Sequence, residues 1–199
     1  MISADEIQAG LTGAWRLMLG KPDGVRLLDL SADGFWNSFF AMLVALPPLF
    51  AMWTSLAIDV SPAGAEFGPR LSLLLRLAFI DFAAWVVPLV ALAAVASRVG
   101  LGDRFVPYTV ATNWASGIVA WMTVPPVVLA AIFPAADDAA ALLWLPVFVA
   151  SLILVWRLTN AVLGKGASIA TALFAAMIAV SLTVVYGLDF LLGIPVAVP

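Results

Sequence analysis

The chain has 199 residues, of which 64% are hydrophobic and 11% charged, with a mean hydropathy of +1.12. A soluble domain carries roughly 45–50% apolar and about 25% charged residues, so the composition excludes a water-soluble globule and indicates an all-α membrane protein. The net charge of −3, spread over short loops, argues against a nucleic-acid partner, and the lack of any Cys or His removes disulfides, thiol nucleophiles, attached haem and the Cys/His zinc motifs.

The first 30 residues lack the basic segment, apolar core and small-residue cleavage site of a secretory leader, so the N-terminus is expected to be kept. Residues 3–19 have the pattern of an amphipathic helix. "SADE" is a capping box in which Ser3 and Glu6 serve each other's backbone amides, with Ile2 and Ile7 at the staple positions. Ile7, Leu11, Ala14, Trp15 and Met18 recur on one face, and Gly20 and Pro22 end the helix. Such a helix suits the membrane interface, or a berth on the cytoplasmic end of the protein's own bundle, or both.

"KPDG" (21–24) is a turn, and Ser31 or Asp33 is placed to cap the first long apolar run. A crossing takes about 20 apolar residues. Five segments qualify, at about 34–57, 71–96, 106–133, 140–163 and 167–188. The links between them, "DVSPAGAEFGPR", "SRVGLGDR", "PAADD" and "GKG", are too short to hold a soluble domain. The chain is therefore expected to form one helical membrane domain over 1–199.

Cations set the orientation. Arg16, Lys21, Arg26, Arg98, Arg104, Arg157 and Lys165 fall on one side of this layout, seven of the nine. The N-terminus is thus expected in the cytoplasm and the C-terminus outside.

The first and third spans share a pattern. Trp36, Ser38 and Pro47-Pro48 are spaced like Trp114, Ser116 and Pro125-Pro126, which would suit a duplicated hairpin. Each proline inside a span, Pro88 and Pro146 included, removes an amide and frees a carbonyl. In lipid that carbonyl needs another partner. Broken helices of this kind either line a transport site or only shape the bundle.

Two charges interrupt the second span in "LLLRLAFIDFAAW" (73–85). With Arg98 at the cytoplasmic surface, Arg76 reaches the outer interface and can snorkel to headgroups. Asp81 lies about 7.5 Å deeper and roughly 140° around the helix, so the two are poorly placed to pair. Asp81 should face the bundle interior, and Asp189, at a compatible depth, is open to Arg76. Arg76, Asp81 and Asp189 are therefore a candidate intramembrane polar site, serving either as an ion or proton site or as a structural bond that fixes helix order. Asp103, Asn113, Arg157 and Asn160, together with Thr159, make a second polar group toward the cytoplasm, either interhelical glue or a binding site. In the fifth span, Ala167, Thr171, Ala175 and Ala179 recur every four residues and form a small-residue face for close packing, against the fourth span or another subunit.

No enzymatic motif is present; HExxH, GxSxG, P-loop and paired-carboxylate patterns are all lacking. No cofactor or metal is called for. The layout of an N-terminal segment followed by five spans resembles Yip1-domain membrane proteins, which have a cytoplasmic N-terminal segment and an outward C-terminus. The text "ISADEIQAGLTGAWRLMLGKPDG" followed by "LDLSADGFWNSFFA" is also similar to small bacterial inner-membrane proteins of unassigned function. Seven Arg against two Lys and a wealth of Ala fit a bacterium of high GC content. The expectation is a non-enzymatic, multi-pass inner-membrane protein that organises membrane or complex by packing against other subunits or itself. The alternative is a small oligomeric transporter or channel subunit using Asp81 and proline-broken helices. A lipid-handling role would place lipid near Arg157 and Asn160.

Overall fold

A computed structural model describes residues 2–60, 67–132 and 137–194. The centres of the expected "DVSPAGAEFGPR" and "PAADD" turns lie outside the described residues. Among the described residues all regular structure is helical: α1 (Ala4–Met18), α2 (Ala32–Asn37), α3 (Ala41–Val60), α4 (Phe67–Val95), α5 (Gly102–Met122), α6 (Val124–Ile132), α7 (Asp137–Leu163) and α8 (Ala167–Leu192). Short 3-10 turns span Pro22–Leu27 and Ser38–Phe40.

Among the described residues four helical stretches are long and apolar enough to cross a membrane: Ala32–Ile58, Phe67–Val95, Leu142–Leu163 and Ala167–Leu192. They turn Leu43, Phe50, Leu75, Phe79, Leu145 and Phe148 outward. So continuous an apolar surface would be costly in water and is matched by hydrocarbon.

The expected third span, 106–133, is two helices. α5 stops at Met122 and α6 starts at Val124, with Thr123 in a turn that sends both its amide and its hydroxyl to Ala120 O, at 3.2 and 2.7 Å. Pro125 and Pro126 cause the break. They have no amides for the carbonyls of Trp121 and Met122, and a proline disfavours helical geometry in the residue before it. Pro47 and Pro48 sit inside an unbroken α3 instead, and the first span breaks earlier, at Ser38–Phe40. The two stretches that share the Trp-Ser-Pro-Pro spacing are therefore not shaped alike.

α5 is the central post. It buries Tyr108, Val110, Ala111, Asn113, Trp114 and Ala115 and packs against α1, α3 and α7. α1 is a wall of this core. Its capping box forms as the sequence requires, with Ser3 N donating to Glu6 Oε2 at 2.6 Å and Glu6 N to Ser3 Oγ at 3.2 Å. Ala14, Leu17 and Met18 are fully buried, while Trp15 is 42% exposed at the edge of the docked face. Gly24 in the following turn lets the chain fold back on α1, since a Cβ there would lie 2.5 Å from Gly13 O. The far end of α1 is tied to α7, where Arg157 donates to Leu19 O.

α8 packs along α4 and, beyond the tight turn at 164–166, along α7. The face it turns inward carries Ala170, Leu173, Phe174, Met177 and Ser181.

Candidate functional site

Helices α3, α4, α5, α7 and α8 line an open cavity of about 490 Å³, within the range of small-molecule sites. α4 brings Asp81 and Trp85 to its wall one turn apart, where residues four apart share a helix face. Asp81 is half-buried. Its Oδ2 accepts the indole proton of Trp53 on α3 at 2.6 Å, and its Oδ1 accepts none among the described residues. Asp81 is also the one charged side chain among the described residues that line the cavity.

The other polar groups on the wall are hydroxyls, and apart from the phenol of Tyr108 their protons are committed. Thr112 donates to Tyr108 O at 2.7 Å, Ser116 to Thr112 O at 2.9 Å, Thr123 to Ala120 O at 2.7 Å and Ser181 to Ala84 O at 3.3 Å. Helix back-bonding of this kind is the usual recourse of Ser and Thr within a span. The Ser181 bond has a further cause. Ala84 O lies four residues before Pro88, so Pro88 leaves it without its helical amide. α8 supplies the missing donor and in doing so fixes its register against α4.

Just below the cavity, a chain of hydrogen bonds joins three helical segments. Trp85 Nε1 donates to Asn113 Oδ1 at 2.9 Å, Asn113 Nδ2 donates to Ser38 Oγ at 2.8 Å, and Ser38 Oγ donates to Phe35 O at 2.7 Å. Asn113 and Ser38 are wholly buried. The bond to Asn113 takes up the one donor Trp85 has.

Of the residues singled out in the sequence, Asp81 alone among the first three lines the cavity. Arg76 Nη1 donates to Leu192 O at 2.8 Å, at the end of α8, and makes no ion pair with Asp189. The C-terminal carbonyls of a helix attract a cation, and this one competes with the carboxylate one turn earlier. Asp189 is half-buried.

The second polar group is dispersed. Asn113 belongs to the buried chain just described. Asp103 meets Lys165 at 3.2 Å and Arg104 at 3.1 Å. The Lys165 contact, foremost, holds the Asp103 carboxyl below its usual range. Lys165 also donates to Gly100 O, so it joins the loop before α5 to the turn before α8. Arg157 serves α1 rather than Asp103. Asn160 is half-buried, and its backbone carbonyl accepts from Gly164 at 3.1 Å, closing α7. The row Ala167, Thr171, Ala175 and Ala179 is exposed, and Thr171 Oγ1 accepts from Trp156 Nε1 at 3.0 Å.

Trp53, Trp85 and Ser181 were not singled out in the sequence, and Ser38 only as part of the Trp-Ser-Pro-Pro spacing. The available signal was that a buried Trp brings one donor that needs an acceptor, and that Pro88 creates an acceptor at a known position. Neither says which helix lies opposite. In comparison with known proteins, no family model matches the chain, and no curated protein or solved structure matches it, so the likeness to Yip1-domain proteins rests on the order of elements alone.

Proposed function

We propose that this chain is a non-enzymatic membrane carrier that takes a small solute into the cavity beside Asp81. The observation that carries this reading is the cavity itself, an open cleft lined by apolar helices, holding a carboxylate, and bordered at Thr123 by the break between α5 and α6. Interrupted helices at an intramembrane site are a recurring way to bind and release a solute, and an acid within a span is a functional-site hypothesis by default.

The same reading has five crossings, with α5 and α6 together making the third, α1 at the interface, the N-terminus in the cytoplasm and the C-terminus outside. The contacts at one end support it. Arg16 with Asp23, Arg157 with Leu19 O, and Lys165 with Gly100 O and Asp103 gather cations on the side that holds α1, while Arg76 lies with the end of α8 at the other. A bacterial inner membrane fits this arrangement and the Arg-rich, Ala-rich composition.

The absence of native cysteine gives a direct test. Ser116→Cys, on the cavity wall, is expected to react with a water-soluble methanethiosulfonate in vesicles, and Leu75→Cys, on the outward face, is not. A Ser116→Cys that stays unmodified from both sides of the membrane would reject a solute path. A second reading, a membrane-organising subunit, is favoured by the exposed row Ala167, Thr171, Ala175 and Ala179, which would admit another helix closely. Cross-linking through Ala175→Cys in native membranes would support it, and a monomer with no cross-link would reject it.

A further inference from the structure

The chemistry of the wall narrows the solute. The hydroxyls of Thr112, Ser116, Thr123 and Ser181 spend their protons on backbone carbonyls, so they can offer the cavity only lone pairs. The donor of Trp85 is engaged by Asn113, and that of Trp53 by Asp81 itself. One carboxylate oxygen accepts nothing from the described residues, and no described lining side chain is cationic. Trp85, Tyr108 and Phe174 add aromatic surface, whose faces attract cations. An anion or a strong acceptor would find no uncommitted side-chain donor there but the phenol of Tyr108, which is only 3% exposed. A cation would find a full charge, oriented oxygens and rings.

The wall also decides between kinds of cation. A bare metal ion of the alkaline-earth type takes roughly six to eight oxygen ligands, and the free oxygens here are dispersed around a mostly apolar surface. An ammonium with a hydrocarbon body fills that surface and presents one charge to Asp81. We infer that the cavity binds a small lipophilic organic cation, an amine or quaternary ammonium, with Asp81 as its counter-ion and Trp85, one turn along α4, against its charged head. The inference rests on the carrier reading for its use and on the cavity's own chemistry for its sign.

Three ligands of one shape test it on the purified protein in nanodiscs: benzyltrimethylammonium, its neutral isostere neopentylbenzene, and the anion benzylphosphonate. Binding is read by calorimetry and by protection of Ser116→Cys from an uncharged maleimide. The expected order puts the cation at least about tenfold tighter than the neutral isostere, with the anion weakest. Asp81→Asn, whose amide oxygen can still accept from Trp53, should remove the cation's advantage and leave neopentylbenzene unchanged. Asp81→Glu should restore it. Equal binding of cation and isostere would overturn the charge preference while leaving the cavity as a solute site. A Ser116→Cys that no ligand protects, although the thiol is reachable, would overturn the inference and leave the water path intact. If the thiol is unreachable from either side, the carrier reading itself fails.

Discussion

Trp121 donates its indole proton to the carbonyl of Val44 at 2.8 Å, and Val44 O is the acceptor that Pro48 leaves without a helical amide. A proline in α3 thus creates a docking point for α5, and the tryptophan one residue before the last of α5 fills it. Trp121→Phe should leave Val44 O unpaired in a medium with no water to replace the donor, at a cost of about 1–3 kcal/mol. Pro48→Ala should be nearly neutral, because it returns the helical amide. The double variant should recover most of the loss from Trp121→Phe. Unfolding in bicelles measures all three, and a double variant as unstable as Trp121→Phe would show that the bond is incidental.

The seat of α1 on α5 depends on a missing side chain. A Cβ at Gly10 would lie 2.4 Å from Trp114 Cε2, inside the ring's own volume. Alanine would favour the helix by about 1 kcal/mol, yet overpacking against a fixed ring costs typically 1–3 kcal/mol. Trp114 is 4% exposed and confined by the core, so the clash should prevail. Gly10→Ala is expected to lower the melting temperature and to expose Met18→Cys to thiol reagents. Gly10→Ala combined with Trp114→Leu should regain part of the stability.

Long apolar runs, the capping box and the punctuation between helices were legible because each depends on local chemistry. Ser3 and Glu6 needed no tertiary information to find each other. The break at Thr123 was half legible: the Pro125-Pro126 pair signals it, but the pair Pro47-Pro48 sits inside an unbroken helix that Trp121 helps to hold together. Asp81 was legible as an acid set in an apolar run, whereas its partner Trp53 was not, since a donor on another helix depends on the rotation of both. The row at Ala167 shows the limit of periodicity. Small residues mark where a helix can approach closely, yet the face that α8 buries carries Ala170 and Leu173, and its hydrogen bond to α4 is made by Ser181 to Ala84 O.

Acid should loosen α1 first. Glu6 is held below its usual value by the Ser3 backbone amide and then by the Ser3 hydroxyl, and Asp23 by its hydrogen bond to Arg16. A carboxyl lowered on folding contributes stability that is complete above its unfolded value and is lost as pH falls through the folded one. Both groups are solvent-exposed, so the effect is confined to fraying of α1 and the following turn. Met18→Cys should react faster with dipyridyl disulfide as pH falls below the ordinary carboxylate range. In a Glu6→Gln background that pH-linked rise should shrink, and a rise of the same size there would assign the change to other groups.

Among the described residues Asn113 is the one side chain that both accepts from α4 and donates to the first span, and its substitutions should separate those roles. Asn113→Asp keeps an acceptor for Trp85 but loses the donor to Ser38, and it adds a charge at a site with no solvent exposure. Asn113→Ala loses both bonds and leaves the Trp85 indole proton without its acceptor. Interhelical hydrogen bonds in membranes average only about 0.6 kcal/mol in double-mutant cycles, while a buried group left unpaired costs about 1–3 kcal/mol. Ser38→Ala should therefore be mild, because Asn113 loses only an acceptor for one of its two amide protons. Asn113→Ala should be severe, and Asn113→Asp worse still unless the acid takes up a proton. The cycle over Asn113→Ala and Trp85→Phe isolates the pair. A double variant close to Asn113→Ala alone is the expected result, since removing the donor removes the unpaired group. Strict additivity would mean that the two side chains act independently and that the chain from α4 to the first span carries no coupling.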